Sequence, residues 1–249
     1  MSNPPLYGNV VPLDREAHKK LKLDTSLAVV QRVAGQNSLF LAMVEFPEAA
    51  KEFPIVFVRV GEAPAEGGKQ AVAPLAVLGL KPGSNLFIKD DKWTGNYAPA
   101  YLRRYPFAMV RMEPGSDQLA LCYDADWAGF SEEKGEALFN ADGQPSEFLL
   151  NAKTFLENFE QEVERTRMAC EELMALDLLQ DMRFDATLPS GEKLEVDGFL
   201  ALDEKKYAEL SDEQVVRLHR NGLLSLLEMH RLSMGNMSRL AALHDAAKA

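Results

Sequence analysis

The sequence predicts an α+β fold: a mostly antiparallel N-terminal β-sheet region, followed by a helical C-terminal region with a small β-hairpin insert. Two observations support this prediction. As far as Tyr123 the chain consists of short runs rich in Val, Ile, Phe and Tyr, which Pro and Gly interrupt in the manner of strands joined by turns. From about Ser146 the apolar residues recur every three or four positions, which is the period of an amphipathic helix.

The length and composition are those of an ordinary globular protein. The chain has 249 residues, of which 47% are hydrophobic and 26% charged, so it can bury a substantial core. The two periodicities meet in a polar, turn-forming stretch at residues 140–145. We therefore expect a β-rich region at residues 1–145 and a helical region at residues 146–249, with one continuous domain as the alternative.

The clearest strand is at residues 55–60, which read Ile-Val-Phe-Val-Arg-Val. Further strands are expected at residues 39–46, 76–80, 86–88, 107–112 and 118–123. Turn chemistry marks the connections at residues 62–68, 81–84 and 113–117. Because these connections are too short for a series of crossover helices, we expect the strands to pair antiparallel.

A long amphipathic helix is expected from about residue 146 to residue 176. The turn signal Leu-Pro-Ser-Gly-Glu at residues 188–192 follows it. The segments on either side, residues 183–188 and 193–196, are expected to form the small hairpin ahead of an apolar run at residues 199–202.

The last part of the chain shows clear helix boundaries. Ser211 and Gln214 match a capping box, in which each side chain accepts a hydrogen bond from a free backbone N–H at a helix start. Asn221 and Gly222 predict the end of that helix. A final helix is expected at residues 223–246, because its apolar residues form one stripe.

Charge and composition argue against two classes of partner. The formal net charge of −11 repels nucleic acid and anionic membranes at long range. The longest apolar runs, at residues 72–80 and 223–227, are far shorter than the ~20 residues that span a bilayer. Because no basic segment followed by an apolar run occurs near Met1, we expect no export signal. Cys122 and Cys170 are too few for a disulfide framework, so we expect reduced packing residues. The prediction is a cytoplasmic protein without a membrane span.

No residue pattern supports catalysis, a metal site or a nucleotide site. Residues 61–70 resemble a phosphate-binding loop, but the glycine spacing is wrong, two glutamates are present, and Gln70 replaces the required Ser or Thr. Metal-binding spacing is absent among the four histidines: His18, His219, His230 and His244. Neither GxSxG nor an evident Cys–His pair is present. We assign no catalytic residue, metal or cofactor; enzymatic activity stays open, and non-catalytic binding is favoured.

One segment, at residues 85–107, concentrates aromatic, arginine and proline residues in a chain that is 8% aromatic on average. Aromatic rings give a large contact area, and arginines present forked donors to a carboxylate or phosphate. We therefore predict that seven residues bind a ligand: Asn85, Trp93, Tyr97, Tyr101, Arg103, Arg104 and Tyr105. The alternative is that the rings are core residues and the arginines neutralise nearby acids.

Several short segments are characteristic in combination. They are Tyr-Gly-Asn-Val-Val-Pro-Leu-Asp at residues 7–14, Phe-Pro-Ile-Val-Phe at 53–57, Tyr-Ala-Pro-Ala-Tyr-Leu-Arg-Arg-Tyr-Pro-Phe at 97–107 and Asp-Gly-Phe-Leu at 197–200. With them the chain resembles the bacterial SapC-like family over nearly its whole length. The resemblance implies an association with a surface layer and serum resistance, and similar proteins are often encoded beside halogenase-like proteins. It carries over no catalytic residues.

Three functions follow as hypotheses. The favoured one is a non-catalytic binding or accessory protein that uses the aromatic and arginine patch to hold a peptide, an acidic ligand or a partner protein. The second, implied by the resemblance, is a surface-layer or cell-envelope structural component. The third is an enzyme that works with a neighbouring halogenase-like oxidative enzyme. A protein or peptide partner is expected, and the oligomeric state is not predicted.

Overall fold

The computed structural model describes residues 4–27, 29–62, 68–111 and 118–247. These residues contain 34% helix and 25% strand, and their strands pair antiparallel, which confirms the predicted α+β class. The connection predicted at residues 113–117 lies outside the described residues, as do residues 63–67 of the one predicted at 62–68.

The strands, in chain order, are β1 (Val10–Pro12), β2 (Lys22–Leu23), β3 (Ser38–Phe40), β4 (Ile55–Arg59), β5 (Val72–Val77), β6 (Ile88–Lys89), β7 (Lys92–Trp93), β8 (Phe107–Arg111), β9 (Leu119–Asp124), β10 (Phe130–Ser131), β11 (Glu136–Ala137), β12 (Leu179–Thr187) and β13 (Lys193–Leu202). The helices are α1 (Val30–Val33), α2 (Phe46–Ala49), α3 (Ala100–Arg103), α4 (Glu147–Ala175), α5 (Glu204–Ala208), α6 (Asp212–Arg220), α7 (Leu223–Ser233) and α8 (Asn236–Ala246). A short 3-10 helix, Met43–Glu45, directly precedes α2.

The chain divides into two compact units, each drawn from two stretches of sequence. The first unit contains Met1–Val33 and Leu102–Gln161, and the second contains Ala34–Tyr101 and Glu162–Ala249. Helix α4 therefore begins in the first unit and ends in the second. The regions predicted at residues 1–145 and 146–249 are defined by a change of sequence periodicity, whereas the compact units are defined by contacts. The two predicted regions therefore stay a prediction.

The first unit is built on two three-stranded antiparallel sheets, with strand orders β1-β9-β8 and β10-β2-β11. Leu149 and Leu156, from the first turns of α4, are buried in its core. Aromatic side chains dominate that core: Tyr7, Tyr105, Phe107, Tyr123, Trp127 and Phe139. Each ring buries a large apolar area, so few residues suffice to fill the core of a small unit.

The second unit is built on a five-stranded antiparallel sheet with the order β12-β13-β4-β5-β3. Strands β12 and β13 form the hairpin predicted around residues 188–192, but they have 9 and 10 residues and are longer than expected. Strand β13 also pairs with β4, through Leu200 and Phe57. The hairpin therefore extends the sheet and is more than a small insert between helices.

Most predicted helix boundaries are confirmed. Helix α4 is the expected long helix, with 29 residues. The capping box starts α6: Gln214 N–H donates to the Ser211 hydroxyl at 3.3 Å, and Ser211 N–H donates to the Gln214 side-chain oxygen at 2.9 Å. Helix α6 ends at Arg220, directly before Asn221 and Gly222.

The strand predicted at residues 39–46 is wrong in its second half, where the chain is helical. Pro47 lacks the N–H donor that a strand ladder uses, yet it fits the first turn of a helix. The Glu45 carboxylate accepts the Ala42 N–H at 2.9 Å, which stabilises the helical turn. Two other strands are displaced: the one predicted at residues 76–80 ends at Val77, and the one predicted at 86–88 becomes β6.

The single helix predicted at residues 223–246 is wrong, because α7 and α8 are separated at Met234 and Gly235. The Ser233 hydroxyl donates to the His230 carbonyl at 2.6 Å and accepts the Ile55 N–H at 3.0 Å. This contact holds the end of α7 against strand β4. Gly235, a poor helix former, lies two residues after Ser233, and α8 begins directly after it.

Candidate functional site

The seven predicted binding residues fall into both compact units. Four belong to the second unit: Asn85, Trp93, Tyr97 and Tyr101. Three belong to the first unit: Arg103, Arg104 and Tyr105. The segment that is continuous in sequence therefore contributes to two sets of contacts, each described by itself.

In the second unit, two buried glutamates hold the backbone around Tyr97. The Glu45 carboxylate accepts the Tyr97 hydroxyl and the Ala100 N–H, both at 2.7 Å. The Glu52 carboxylate accepts the Asn96 N–H at 2.8 Å and also its side-chain amide. Because a buried carboxylate is costly without donors, these contacts stabilise both glutamates and fix the loop at residues 96–100.

The rings of the second unit pack against other rings. Trp93 stacks on Phe87 with ring centroids 5.8 Å apart, and its indole N–H donates to the Tyr97 carbonyl at 2.9 Å. Tyr101 meets Phe40 at 6.3 Å. Asn85 accepts the Phe87 N–H at 3.0 Å. These contacts are those of loop and core packing, and a binding role for these residues stays a prediction.

In the first unit, the other three predicted residues line one cavity of about 360 Å³. Five aromatic rings form part of its wall: Tyr105, Phe107, Trp127, Phe148 and Phe155. Aliphatic side chains add to this apolar surface, and the polar lining residues are Asp24, Thr25, Arg103, Arg104 and Asn151. A concave, mainly apolar site with a few polar groups is the usual form of a small-molecule pocket.

The local sequence explains how two elements reach this cavity. On α4, Phe148, Asn151, Ala152 and Phe155 occupy positions i, i+3, i+4 and i+7, so one helix face presents them all. On the other side, the chain turns after β2 because the Asp24 carboxylate accepts the Ser26 N–H at 3.0 Å and its hydroxyl at 2.5 Å.

Arg104 is buried and has charged and aromatic partners inside the unit. Its guanidinium lies 4.9 Å from the centre of the Phe159 ring and 5.6 Å from that of Tyr7. It forms a 3.5 Å ion pair with Glu160. Burial raises the pKa of Glu160, while Arg104 and Arg111 oppose that rise. This arrangement neutralises a cation that is only 8% exposed.

Arg103 differs from its neighbour because its side chain is exposed. Its guanidinium lies 5.2 Å from the centre of the Phe155 ring, which is a cation–π distance. Phe155 also lines the cavity. Arg103 thus combines access to solvent with a position beside the aromatic wall, and its planar fork suits a carboxylate.

The Tyr105 hydroxyl already has a partner, because it donates a hydrogen bond to the Asp124 carboxylate at 2.8 Å. Burial raises the pKa of Tyr105, and the Asp124 contact adds to that rise. Asp124 is fully buried, which alone would raise its pKa, but donors from Asn9, Tyr105 and Gly8 outweigh burial and lower it. The Tyr105 ring, rather than its hydroxyl, is the group that suits contact with an apolar ligand.

Asp24 is a lining residue that the sequence reasoning missed. Its carboxylate forms a 2.7 Å ion pair with Lys134, and hydrogen bonds from Lys134 and Ser26 lower its pKa to about 2. It is therefore ionised at neutral pH. The Asp-Thr-Ser sequence signals a turn, but the same turn in a surface loop would look identical, so the signal could not place it at a cavity.

The cysteines and the possible metal ligands are the remaining groups of interest in the described residues. Both cysteines are free and buried, as predicted, and burial raises the pKa of Cys170 to about 12. Within the described residues there is no group of three His, Cys, Asp or Glu side chains that could hold a metal. None of the helices in the described part of the chain has the length and apolarity that a bilayer crossing requires.

Comparison with known proteins gives one match. The model of the SapC family matches residues 13–240 of the chain. This range includes all seven predicted binding residues and every residue that lines the cavity. No curated protein and no solved structure matches the chain.

Proposed function

Because the chain belongs to the SapC family, we propose that it is a non-catalytic binding protein of this family, whose first unit holds a small ligand with an apolar body and an acidic group. One observation carries the proposal: an exposed arginine, Arg103, stands beside a cavity that five aromatic rings line. The rings would cover the apolar body, and the guanidinium would bind the acidic group.

The size and lining of the cavity support a small ligand. A volume of about 360 Å³ lies within the ~300–1,000 Å³ range of small-molecule sites. Rings such as Trp127 and Phe148 provide contact area at a low entropic cost. A ligand that fills this cavity would bury most of its surface there without a change in the fold of the protein.

The charge of the chain supports a local role for Arg103. A net charge of −11 repels anions at long range, so an acidic ligand needs a cation next to the cavity. Arg104 lines the cavity too, but its side chain is buried. Arg103 is the exposed member of the pair and is therefore the group that we assign to the acid.

Two fluorescent probes test the proposal. Anilinonaphthalene sulfonate has an aromatic body and an acidic group, and N-phenylnaphthylamine is its uncharged analogue. We expect Arg103→Gln to weaken sulfonate binding by on the order of tenfold, because a charged hydrogen bond is lost, and to leave the neutral probe unchanged. Arg15→Gln, an exposed arginine of the same unit that does not line the cavity, is the matched control.

A second variant tests the cavity itself. Ala152 is half-buried and lines the cavity, so Ala152→Phe should fill it and abolish binding of both probes. Glu157→Phe, an exposed position of α4 outside the lining, should keep both affinities. If both probes bind equally well to Ala152→Phe and to the wild type, the cavity is not their site and the proposal fails.

A cytoplasmic location and a protein or peptide partner complete the proposed function. The two free, buried cysteines support a reducing compartment. Cell fractionation tests the location: recovery of the chain outside the inner membrane would contradict it. Affinity purification of the wild type and of Ala152→Phe tests the partner, since a partner whose acidic residue enters the cavity should be lost from the variant.

A further inference from the structure

We infer that the ligand of the first-unit cavity is a small zwitterion with an apolar body, whose carboxylate binds Arg103 and whose ammonium group binds Asp24. The inference rests on the proposed function, because it concerns the same cavity. Such a ligand is a free amino acid or short peptide with a large apolar side chain.

Asp24 brings a negative charge to the same cavity as Arg103. One carboxylate oxygen accepts the Ser26 N–H and hydroxyl, and the other faces the Lys134 ammonium at 2.7 Å. A carboxylate has about four acceptor positions, so the oxygen beside Lys134 retains capacity for a further donor. The Lys134 side chain is 74% exposed and can move aside at little cost.

The opposite charges disfavour singly charged ligands. An acid without an amine would bring a second anion into the cavity that Asp24 lines, and an amine without an acid would bring a further cation into the cavity that Arg103 lines. A zwitterion satisfies both side chains. It also has no net charge, so the field of a chain with charge −11 does not repel it.

The remaining lining suits the body of such a ligand. The aromatic wall accepts an aromatic or branched apolar side chain. Thr25 and Asn151, both exposed, add neutral donors and acceptors to the polar part of the lining. The cavity therefore carries one carboxylate, the exposed Arg103 besides the buried Arg104, and neutral polar groups beside an apolar pocket, and this set suits an α-amino acid with an apolar side chain.

Isothermal titration calorimetry with three related compounds tests the inference on the full chain. The compounds are L-phenylalanine, 3-phenylpropanoate, which lacks the ammonium group, and phenethylamine, which lacks the carboxylate. We expect phenylalanine to bind on the order of tenfold more tightly than either analogue, because each analogue loses one charged hydrogen bond.

Variants assign each charge. Asp24→Asn should remove the preference for phenylalanine over 3-phenylpropanoate, and Arg103→Gln should remove the preference over phenethylamine. Because Asp24 also shapes a turn, Lys134→Gln is the second variant: it leaves the turn intact, removes a competitor for the carboxylate, and should hold or raise the affinity for phenylalanine. Asp142→Asn, an exposed aspartate outside the lining, is the control.

The outcomes separate this inference from the proposed function. If 3-phenylpropanoate binds as tightly as phenylalanine and Asp24→Asn changes neither affinity, the zwitterion inference is overturned while an acid-binding cavity stands. If none of the three compounds binds, the inference is also overturned. If the wild type fails to bind the sulfonate probe as well, the proposed function itself is overturned.

Discussion

At the scale of single residues, the adjacent arginines Arg103 and Arg104 have the same side chain but different surroundings. Arg103 is exposed beside the Phe155 ring, whereas Arg104 is buried between two rings and paired with Glu160. Both arginines belong to the same predicted patch. Their different burial predicts different effects on stability, which separate a ligand-binding arginine from a structural one.

We expect Arg104→Gln to lower the free energy of unfolding of the first unit by about 2 kcal/mol, because it leaves Glu160 without its ion-pair partner in a mostly buried position. Arg103→Gln should change it by less than about 0.5 kcal/mol, because the lost side chain is exposed. Thermal unfolding followed by circular dichroism measures both. Equal melting temperatures for the two variants would contradict the assignment of roles.

At the scale of elements, the short helical segment at residues 43–49 determines the position of the loop that follows β7. Glu45 and Glu52 lie in and just after this segment, and their carboxylates hold Asn96, Tyr97 and Ala100. The Tyr97 and Trp93 side chains are therefore held by the fold of the second unit. Their aromatic character alone could not distinguish this role from a binding role.

Glu52→Ala should destabilise the second unit by about 2 kcal/mol, because the Asn96 backbone and side-chain donors lose a charged acceptor. Hydrogen exchange of the amides at residues 96–97 should become faster, and chemical denaturation should measure the loss of stability. Glu48→Ala is the matched control on α2, where an exposed pair with Lys51 is lost and little change is expected. Equal exchange rates in both variants would contradict the anchoring role.

At the scale of the whole molecule, contacts between distant parts of the sequence join the helices to the sheet of the second unit. His230, on α7, bridges two strands: its Nδ1 lies 2.8 Å from the Ile55 carbonyl, and its Nε2 accepts the Leu202 N–H at 3.1 Å. This pattern requires the neutral imidazole, with the proton on Nδ1. Burial lowers the pKa of His230 to about 4, although the Ile55 carbonyl opposes that shift.

This pKa predicts a pH dependence of stability. The folded chain keeps His230 neutral, whereas the unfolded chain protonates it below pH ~6.5, so its contribution is complete above that pH and is lost as the pH falls toward about 4. The slope should approach 1.4 kcal/mol per pH unit at most. In His230→Gln this part of the pH dependence of unfolding should disappear, and in the exposed His219→Gln it should remain. An unchanged slope in His230→Gln would refute the prediction.

Local sequence signals determined the α+β class, the antiparallel pairing, the long helix α4, the hairpin at residues 188–192 and the capping box at Ser211. These features depend on periodicity, turn chemistry and hydrogen bonds within a few residues, which one chain segment carries by itself. The same reasoning failed at residues 43–49 and at Gly235, where Glu45 accepts the N–H of the distant Ala100 and Ser233 accepts that of the distant Ile55, contacts that local propensity does not contain.

Only the tertiary structure decided which residues share a site. The predicted patch at residues 85–107 is continuous in sequence, yet Trp93 and Tyr97 pack in one compact unit while Arg103 and Arg104 line a cavity in the other. That cavity also needs Asp24, Trp127 and Phe155, which come from three separate stretches. Periodicity reports which face of an element is apolar, but only packing determines which faces meet and where a space remains between them.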